Sequence, residues 1–326
     1  MFLNRPNSKR GRINCVGFAM AIVSSVILIA FYQGAIGADL KQKMFKSPDE
    51  AVKTLIESVR ARDTKELLAI FGPSGKEIIS SGDEVADREM GERFVKAYEE
   101  ASKVVSQGDT KMVLHVGKED FPFPIPIVKK GQLWLFDTQV GKEEILNRRI
   151  GRNELSTIQA CLAYVDAQRE YARRDREGGG LMEYAQRFAS SPGKKDGLYW
   201  EAKEGESSSP LGPLVAQAVK EGYKKSEDGK QVKGQTLIPY HGYYYKILKA
   251  QGKNAPDGAY DYVIKGKMIG GFAMVAYPAE YGVSGVMTFI VNHEGVVYEK
   301  DLGKGTVNLA GAMKKFDPDK TWKKVE

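Results

Sequence analysis

The C-terminal part of the chain consists of short apolar segments separated by turn sequences. The segments "YYYKILKA", "YDYVIKG", "GGFAMVAY", "VMTFIVN" and "VVYEKDL" follow Gly234, and "NAPDGA", "KGK" and "NHEG" lie among them. Alternation of β-branched and aromatic runs with Gly, Pro and Asn predicts consecutive strands. Parallel strands need a crossover of about a dozen residues, and most connections here are shorter. The pattern therefore predicts an antiparallel sheet, with Gly295 at positive φ in a tight turn at 293–295.

Two of these segments, "GFAMVAY" and "VMTFIV", are apolar at consecutive positions. Strands of this kind are covered on both faces. The predicted helices at 141–176 and 213–223 are the expected cover.

The preceding part of the chain carries helix signals. Ser47 and Glu50 form a capping box around Pro48, which suits the first position of a helix. A charged helix is expected over 87–106. It is followed by strands in "KMVLHVG" and "GQLWLFD" and by two helices in "GKEEILNRRIG" and "RNELSTIQACLAYVDAQREYARRD".

These elements predict an α+β fold rather than alternating strands and helices. The N-terminal lobe, at 38–176, is expected to be rich in helices and to contain a small sheet. Residues 177–236 are expected to form a loop-rich connector with short helices. Residues 237–326 are expected to form the antiparallel sheet domain, packed by helices.

The first 37 residues have the features of an export signal. They carry four basic and no acidic residues, an apolar run at 16–32, and Ala35 and Gly37 in the small-x-small pattern that signal peptidase recognises. Cleavage before Ala38 gives a periplasmic or secreted protein, and retention of 16–32 gives a membrane-anchored one. Either outcome predicts an exported protein of the cell envelope that contacts the membrane only through this segment.

The charge balance of the remaining chain gives no support for a nucleic-acid partner. The whole chain has 49 basic and 42 acidic residues, and removal of the four basic residues of the signal leaves 45 (49 minus 4), about +3. Such a near balance is typical of a solvated surface.

The chain lacks the motifs of common cofactor and metal sites. His115, His241 and His293 have no second His or Cys at ligand spacing, and H-E-x-x-H, EF-hand and P-loop sequences are missing. We therefore predict no cofactor, no metal site and no catalytic residue, which favours a protein that is not an enzyme.

Cys161 is the one cysteine outside the signal, so no intrachain disulfide is predicted. It lies beside an apolar helical stripe and is expected to be a small buried core residue. The stripe is formed by Leu155, Ile158, Leu162 and Val165.

The segment "PYHGYYYKILK" is the candidate binding surface. Read as one strand, it places His241, Tyr243, Tyr245 and Ile247 on one face and Tyr240, Tyr244 and Leu248 on the other. In the simpler interpretation, the tyrosine rings are half-buried and their hydroxyls are hydrated by solvent. In the functional interpretation, the rings form a platform that binds a sugar, a peptide or a partner protein. The adjacent loop "YPAEYG" extends the surface. The candidate ligand- or partner-binding residues are Tyr240, His241, Tyr243, Tyr245, Tyr277, Glu280 and Tyr281.

Three blocks of sequence resemble one known family. "RRIGRNELSTIQACLAYVDAQREYA", "PYHGYYYKILKAQG" and "GKMIGGFAMVAYPAEYGVSGVMTFIVNHEGVVYEKDLG" are similar to an exported bacterial family, domain of unknown function 2950 (DUF2950), over Phe45 to Trp322. The resemblance implies an envelope or secreted protein. It brings no assigned activity, cofactor or catalytic residue.

Two weaker resemblances concern the fold alone. "GFAMVAYP" followed by "MTFIVNHEGVVY" is similar to the C-terminal sheet of some type IV pilin-like proteins, although Ile22 stands where a prepilin cleavage site has Glu. The capped helices followed by "KMVLHVG" and "GQLWLFD" resemble cone-shaped NTF2-like domains.

Three functional hypotheses follow. The first is a non-catalytic protein that binds or scaffolds another envelope protein, or a cell-wall or polysaccharide component, through its Tyr-rich sheet. The second is a cell-wall or polysaccharide hydrolase that uses Glu280 and Asp301 with His241 or His293. The third is a small-ligand pocket in the N-terminal lobe. The residues expected to line that pocket are Phe94, Trp134 and Phe136.

Overall fold

The structure is a computed structural model that describes residues 42–175, 180–202, 205–223 and 239–325. The predicted signal or anchor at 1–37 lies outside these ranges. Within them, no helix is long and apolar enough to cross a membrane. The α-helices are α1 (Pro48–Ala61), α2 (Thr64–Phe71), α3 (Lys76–Ile79), α4 (Glu84–Glu100), α5 (Thr138–Tyr171), α6 (Gly212–Lys220) and α7 (Thr306–Ala312), and 3₁₀ turns span Pro73–Gly75 and Gly303–Gly305.

The strands form two main sheets and two short ladders. The strands of the first sheet are β1 (Ser102–Ser106), β2 (Lys111–Val116), β3 (Phe121–Pro122), β4 (Ile127–Lys130) and β5 (Leu133–Phe136). The later strands are β6 (Tyr243–Leu248), β7 (Ala250–Gln251), β8 (Tyr260–Asp261), β9 (Val263–Ile264), β10 (Lys267–Met268), β11 (Ala273–Pro278), β12 (Met287–Asn292), β13 (Val297–Asp301) and β14 (Lys323–Lys324).

Both main sheets are antiparallel, as the short connections predicted. The first has the order β1-β2-β4-β5 with β3 beside β2, and the second has the order β14-β13-β12-β11-β6. The ladders β7-β8 and β9-β10 complete the turns between β6 and β11. The tight turn between β12 and β13 has Gly295 at φ 84°, as predicted. The fold class, α+β, is confirmed.

The first sheet packs on helices α1 and α2. Ser47 caps α1 by accepting a hydrogen bond from the amide of Glu50 at 3.1 Å, with Pro48 in the first turn. The core between these elements is rich in aromatic residues. Its members include Phe45, Leu55, Ile70, Phe71, Trp134 and Phe136. The charged helix expected over 87–106 is shorter, because residues 102–106 form strand β1, where Val104 and Val105 pair with β2.

The two helices predicted over 141–176 are one continuous helix, α5, of 34 residues. Gly151 does not end it, because buried side chains on both sides of the glycine hold the helix. Arg149 donates to the carbonyl of Glu77 at 2.6 Å, and Asn153 donates to the carbonyl of Ser284 at 2.9 Å. α5 therefore contacts both the N-terminal helices and the second sheet.

The buried face of α5 is rotated from the predicted stripe. Leu155 is 67% exposed and Leu162 is 37% exposed, whereas Tyr164 and Gln168 are buried. Cys161 is fully buried, as predicted, and burial raises the pKa of its thiol to about 12. A thiol in this setting is unreactive.

The second sheet is covered on both faces. α5 lies on one face, as predicted, and the short helix α7 lies on the other, where it contacts β11. The other expected cover, residues 213–223, lies instead on the α5 side, where Leu214 of α6 lines the same pocket as Ala160 and Tyr164 of α5. The domain boundaries inferred from sequence stay a prediction, since α5 takes part in the packing of both sheets.

Lys246 of β6 fastens α7 to the sheet. Its Nζ donates to the carbonyls of Gly311 at 2.6 Å and Met313 at 2.7 Å, which are among the unpaired carbonyls at the end of α7. Lys249, three residues later, is exposed, and within the described ranges it donates only to the side chain of Gln186, at 3.0 Å.

We expect Lys246→Met to lower the free energy of unfolding by about 2 kcal/mol, because two charge-assisted hydrogen bonds are lost while the apolar stem is kept. The matched control Lys249→Met should change it by less than about 0.5 kcal/mol. Urea denaturation at neutral pH measures both. Equal effects of the two substitutions would contradict a fastening role for Lys246.

Candidate functional site

The tyrosine segment is a hairpin rather than one strand. Tyr240 and Tyr243 exchange backbone hydrogen bonds of 2.9 and 3.1 Å around His241 and Gly242, whose φ angles are 49° and 73°. Positive φ at both central residues is the requirement of a two-residue type I′ turn. The prediction that His241 shares a strand face with Tyr243 was therefore wrong, because His241 lies in the turn.

The tyrosines of β6 alternate between the two faces of the sheet. Tyr243 is 0% exposed and donates to the carbonyl of Met287 at 2.9 Å, and Tyr245 lies 3.4 Å from the hydroxyl of Thr157 on α5. Burial raises the pKa of both phenols. Tyr243 is thus a core residue and does not offer its ring to a partner.

The loop after β11 is held by its own hydrogen bonds. Tyr281 donates to Asp301 at 3.2 Å, and the hydroxyl of Ser284 accepts from the amide of Glu280 at 3.0 Å. Tyr277, at the start of the loop, is buried under α7, whereas the side chain of Glu280 is exposed. Tyr281 is half-buried.

The groups named in the hydrolase hypothesis have separate partners. Asp301 accepts from Tyr281, and His241 Nε2 lies 3.5 Å from Glu221 Oε2. The ring of His293 packs on Tyr262. In the described ranges, no hydrogen bond or ion pair links Glu280 or Asp301 to either histidine.

The residues expected to line an N-terminal pocket belong to a packed core. Phe136 is fully buried, and its ring contacts those of Phe45, Phe71 and Phe123 at centroid distances of 5.6–6.4 Å. Phe94 stacks on Phe123 at 5.1 Å. Trp134 is buried in the same cluster.

An apolar pocket of about 260 Å³ lies beside β6, on the second sheet. We call it the tyrosine-lined pocket. It includes two of the predicted residues, Tyr240 and Tyr245, and a third tyrosine of the same segment, Tyr244. Its lining residues are Ala160, Tyr164, Phe188, Leu211, Leu214, Tyr240, Tyr244, Tyr245 and Met274.

A buried glutamine holds one wall of this pocket. Gln168 of α5 donates to the carbonyl of Ala185 and accepts from its amide, both at 2.8 Å. This pairing fixes the chain next to Phe188, whose ring packs on Tyr164 at 5.8 Å. The amide of Leu211 donates to the carbonyl of Leu198 at 3.0 Å, which fixes the adjoining wall.

Asp83 holds the opposite wall. It is 2% exposed and caps α4, with Oδ1 accepting from the amides of Val85 at 3.1 Å and Ala86 at 3.0 Å. Its Oδ2 accepts from the hydroxyl of Tyr223 and the amide of Gly242, both at 2.8 Å. A buried carboxylate with four donors is fully satisfied, so Asp83 ties the start of β6 to the N-terminal helices.

Tyr240 lies between the hydrogen-bonded group of Asp83, Tyr223 and Gly242 and the pocket. Its ring lies 5.0 Å from that of Tyr223 and 4.1 Å from that of His241. Burial is the main cause that raises the pKa of Tyr240 to about 12, and the negative charges of Glu221 and Glu89 contribute to the rise. The hydroxyl at the pocket wall therefore stays protonated at neutral pH and can donate a hydrogen bond.

Sequence reasoning identified part of this arrangement. Asp83 is recognisable as an N-cap before Glu84, but its second role depends on residues 140 and 159 positions away. The pocket residues of α5 and α6 have no sequence signal beyond apolar periodicity. Among the described residues, no group of three or more His, Cys, Asp and Glu side chains is placed to hold a metal ion.

Two antiparallel sheets with helices packed on them define an α+β protein with an apolar pocket at a sheet edge. The family model described as protein of unknown function (DUF2950) matches residues 42–325, so the chain belongs to that family. No curated protein sequence and no solved structure shows significant similarity to the chain. The pilin-like and NTF2-like resemblances stay predictions.

We expect Asp83→Asn to lower the free energy of unfolding by about 3 kcal/mol, because the amide nitrogen then faces the donors of Tyr223 and Gly242. Tyr223→Phe removes one of these donors and should cost about 1 kcal/mol. The control is Asp63→Asn, at the exposed cap of α2, where Asn is an equivalent cap. Urea denaturation of the three variants measures the effects, and a loss at Asp63 as large as that at Asp83 would contradict the assignment.

Proposed function

We propose that the protein is an exported, non-catalytic binding protein of the cell envelope that takes a small ligand with an apolar body in the tyrosine-lined pocket. The observation that carries the proposal is the pocket itself, of about 260 Å³, at the segment that the sequence singles out. Concave apolar sites with a few polar groups are the usual form of small-ligand sites.

The pocket has the two kinds of group that such a site needs. Phe188, Leu211, Leu214 and Met274 offer apolar contact, and the tyrosines offer both ring faces and hydroxyls. Among the described residues, the hydroxyls of Tyr240 and Tyr244 donate to no acceptor, so both are free to hydrogen-bond to a ligand.

Hydrogen bonds hold the walls of the pocket in place. Gln168 and Asp83 fix them through short hydrogen bonds to backbone groups. A site that is organised before binding loses less entropy when the ligand enters. This supports a binding role more than a purely structural one.

Export is proposed from the N-terminal sequence. The positive charges, the apolar run at 16–32 and the small residues Ala35 and Gly37 are typical of a signal peptide. An envelope location gives the protein access to periplasmic or extracellular ligands.

The neutral fluorophore N-phenyl-1-naphthylamine tests the pocket. We expect it to bind the wild type, and Leu214→Trp to weaken binding at least tenfold because the larger ring fills the pocket. The matched control Leu155→Trp introduces the same side chain on the exposed face of α5 and should leave the affinity unchanged. Equal binding by both variants, or no binding by the wild type, would refute the pocket as the site.

Fusion of residues 1–45, which include the predicted cleavage site, to a mature alkaline phosphatase lacking its own signal tests export. Periplasmic activity is expected, with N-terminal sequencing deciding between cleavage before Ala38 and retention of the segment. A fusion with Ile27→Arg and Leu28→Arg should stay inactive, because charges in the apolar run prevent insertion. Activity that is equal with and without the charges would count against an export signal.

A further inference from the structure

A carboxylate lies near the Tyr240 end of the tyrosine-lined pocket, since the ring of His241 is 4.1 Å from that of Tyr240 and its Nε2 is 3.5 Å from Oε2 of Glu221. Glu221 and Glu89 are the two charged groups that act on the hydroxyl of Tyr240, and both raise its pKa. Glu89 is paired with Arg93 at 3.1 Å, which offsets part of its charge. Glu221 is therefore the stronger candidate for a charge that a ligand would meet.

Among the described residues, the carboxylate of Glu221 forms no ion pair with a Lys or Arg, and its Oε1 accepts a hydrogen bond from the side-chain amide of Gln217 at 2.8 Å. The guanidinium of Arg88 donates to the backbone carbonyl of Glu221 at 3.2 Å, not to its carboxylate. Oε2 is buried and has no hydrogen-bond donor among the described residues. The imidazole of His241 lies beside it, with Nε2 3.5 Å from Oε2, and is charged only when it is protonated.

The side chains between Glu221 and the pocket are aromatic. The ring of His241 lies 4.1 Å from that of Tyr240, and Tyr240 in turn lies 6.4 Å from Tyr245. Tyrosine faces attract cations through the ring quadrupole. An ammonium group over Tyr240 would gain this attraction together with the field of the carboxylate.

We infer that the ligand is a small organic cation, with an aromatic or branched aliphatic body in the tyrosine-lined pocket and an ammonium group at the Tyr240 end near Glu221. This inference rests on the proposed function and names the ligand class of that site. The same charges disfavour a carboxylate, sulfonate or phosphate group at that end.

Three probes with one ring system test the inference: 1-naphthylmethylamine, 1-naphthalenemethanol and 1-naphthoate, which are cationic, neutral and anionic at neutral pH. We expect the amine to bind about fivefold more tightly than the alcohol, as for a partly screened cation–π contact beside a carboxylate. The naphthoate should bind most weakly. Isothermal titration calorimetry measures all three.

The variant Glu221→Gln should weaken binding of the amine about threefold, because the cation–π attraction of Tyr240 remains, and should leave the affinity for the alcohol unchanged. The control Glu92→Gln removes a charge from α4 that is paired with Arg62 at 2.8 Å, and it should leave the preference intact. A second test needs no variant: raising the salt concentration from 20 to 500 mM should shrink the preference of the wild type for the amine.

The outcomes separate this inference from the proposed function. Binding of the alcohol without preference for the amine, or tightest binding of the naphthoate, would overturn the cation and leave the pocket in place. A preference that neither Glu221→Gln nor high salt reduces would overturn the role of Glu221. Failure of all three probes to bind would overturn the pocket and the inference with it.

Discussion

The four hydrogen bonds to the carboxylate of Asp83 are the constraint on which the candidate site depends. One oxygen caps α4, and the other accepts from Tyr223 and from the amide of Gly242 at the start of β6. Because the carboxylate is buried, each donor that it loses leaves a buried polar group unsatisfied. The turn of His241 and Gly242, and with it the position of Tyr240, is therefore set by a residue of the N-terminal part of the chain.

Helix α5 supplies the second constraint. Its first half contacts the N-terminal helices through Arg149. Its second half packs on one face of the second sheet, where Tyr164 donates to the carbonyl of Ala273 and Gln168 donates to that of Ala185. A substitution in this helix can therefore change the pocket and the N-terminal core together. This coupling explains why a binding surface that sequence reasoning placed on one sheet depends on residues from the whole described chain.

The sequence predicts local structure well where one residue type has one structural use. Ser47 and Pro48 begin a helix, Gly295 takes a positive φ, and the short connections make the sheet antiparallel, all as predicted. Prediction fails where tertiary contacts decide. Gly151 remains inside a helix because Arg149 and Asn153 are anchored elsewhere, and Tyr243 is buried by a helix that lies about 90 positions earlier in the chain.

The candidate site was likewise predictable from sequence only in part. Aromatic composition identifies the segment that contains Tyr240 and Tyr245, and both line the pocket. The alternation of side chains along a strand cannot reveal that His241 lies outside the strand. Its left-handed conformation before Gly242 is required by the type I′ turn and not by the strand pattern. Phe188 and Leu214 reach the pocket from a part of the chain without a strong pattern, so only the folded structure assigns them.

The central claim is that ligands enter the tyrosine-lined pocket. Nuclear Overhauser contacts between 1-naphthalenemethanol and ¹³C-labelled methionine methyl groups test it most directly, because Met274 lies in the pocket and Met182 is 60% exposed on the surface. The account predicts contacts from the ring protons of the probe to the methyl group of Met274 and none to Met182. Contacts to Met182 without contacts to Met274 would contradict it.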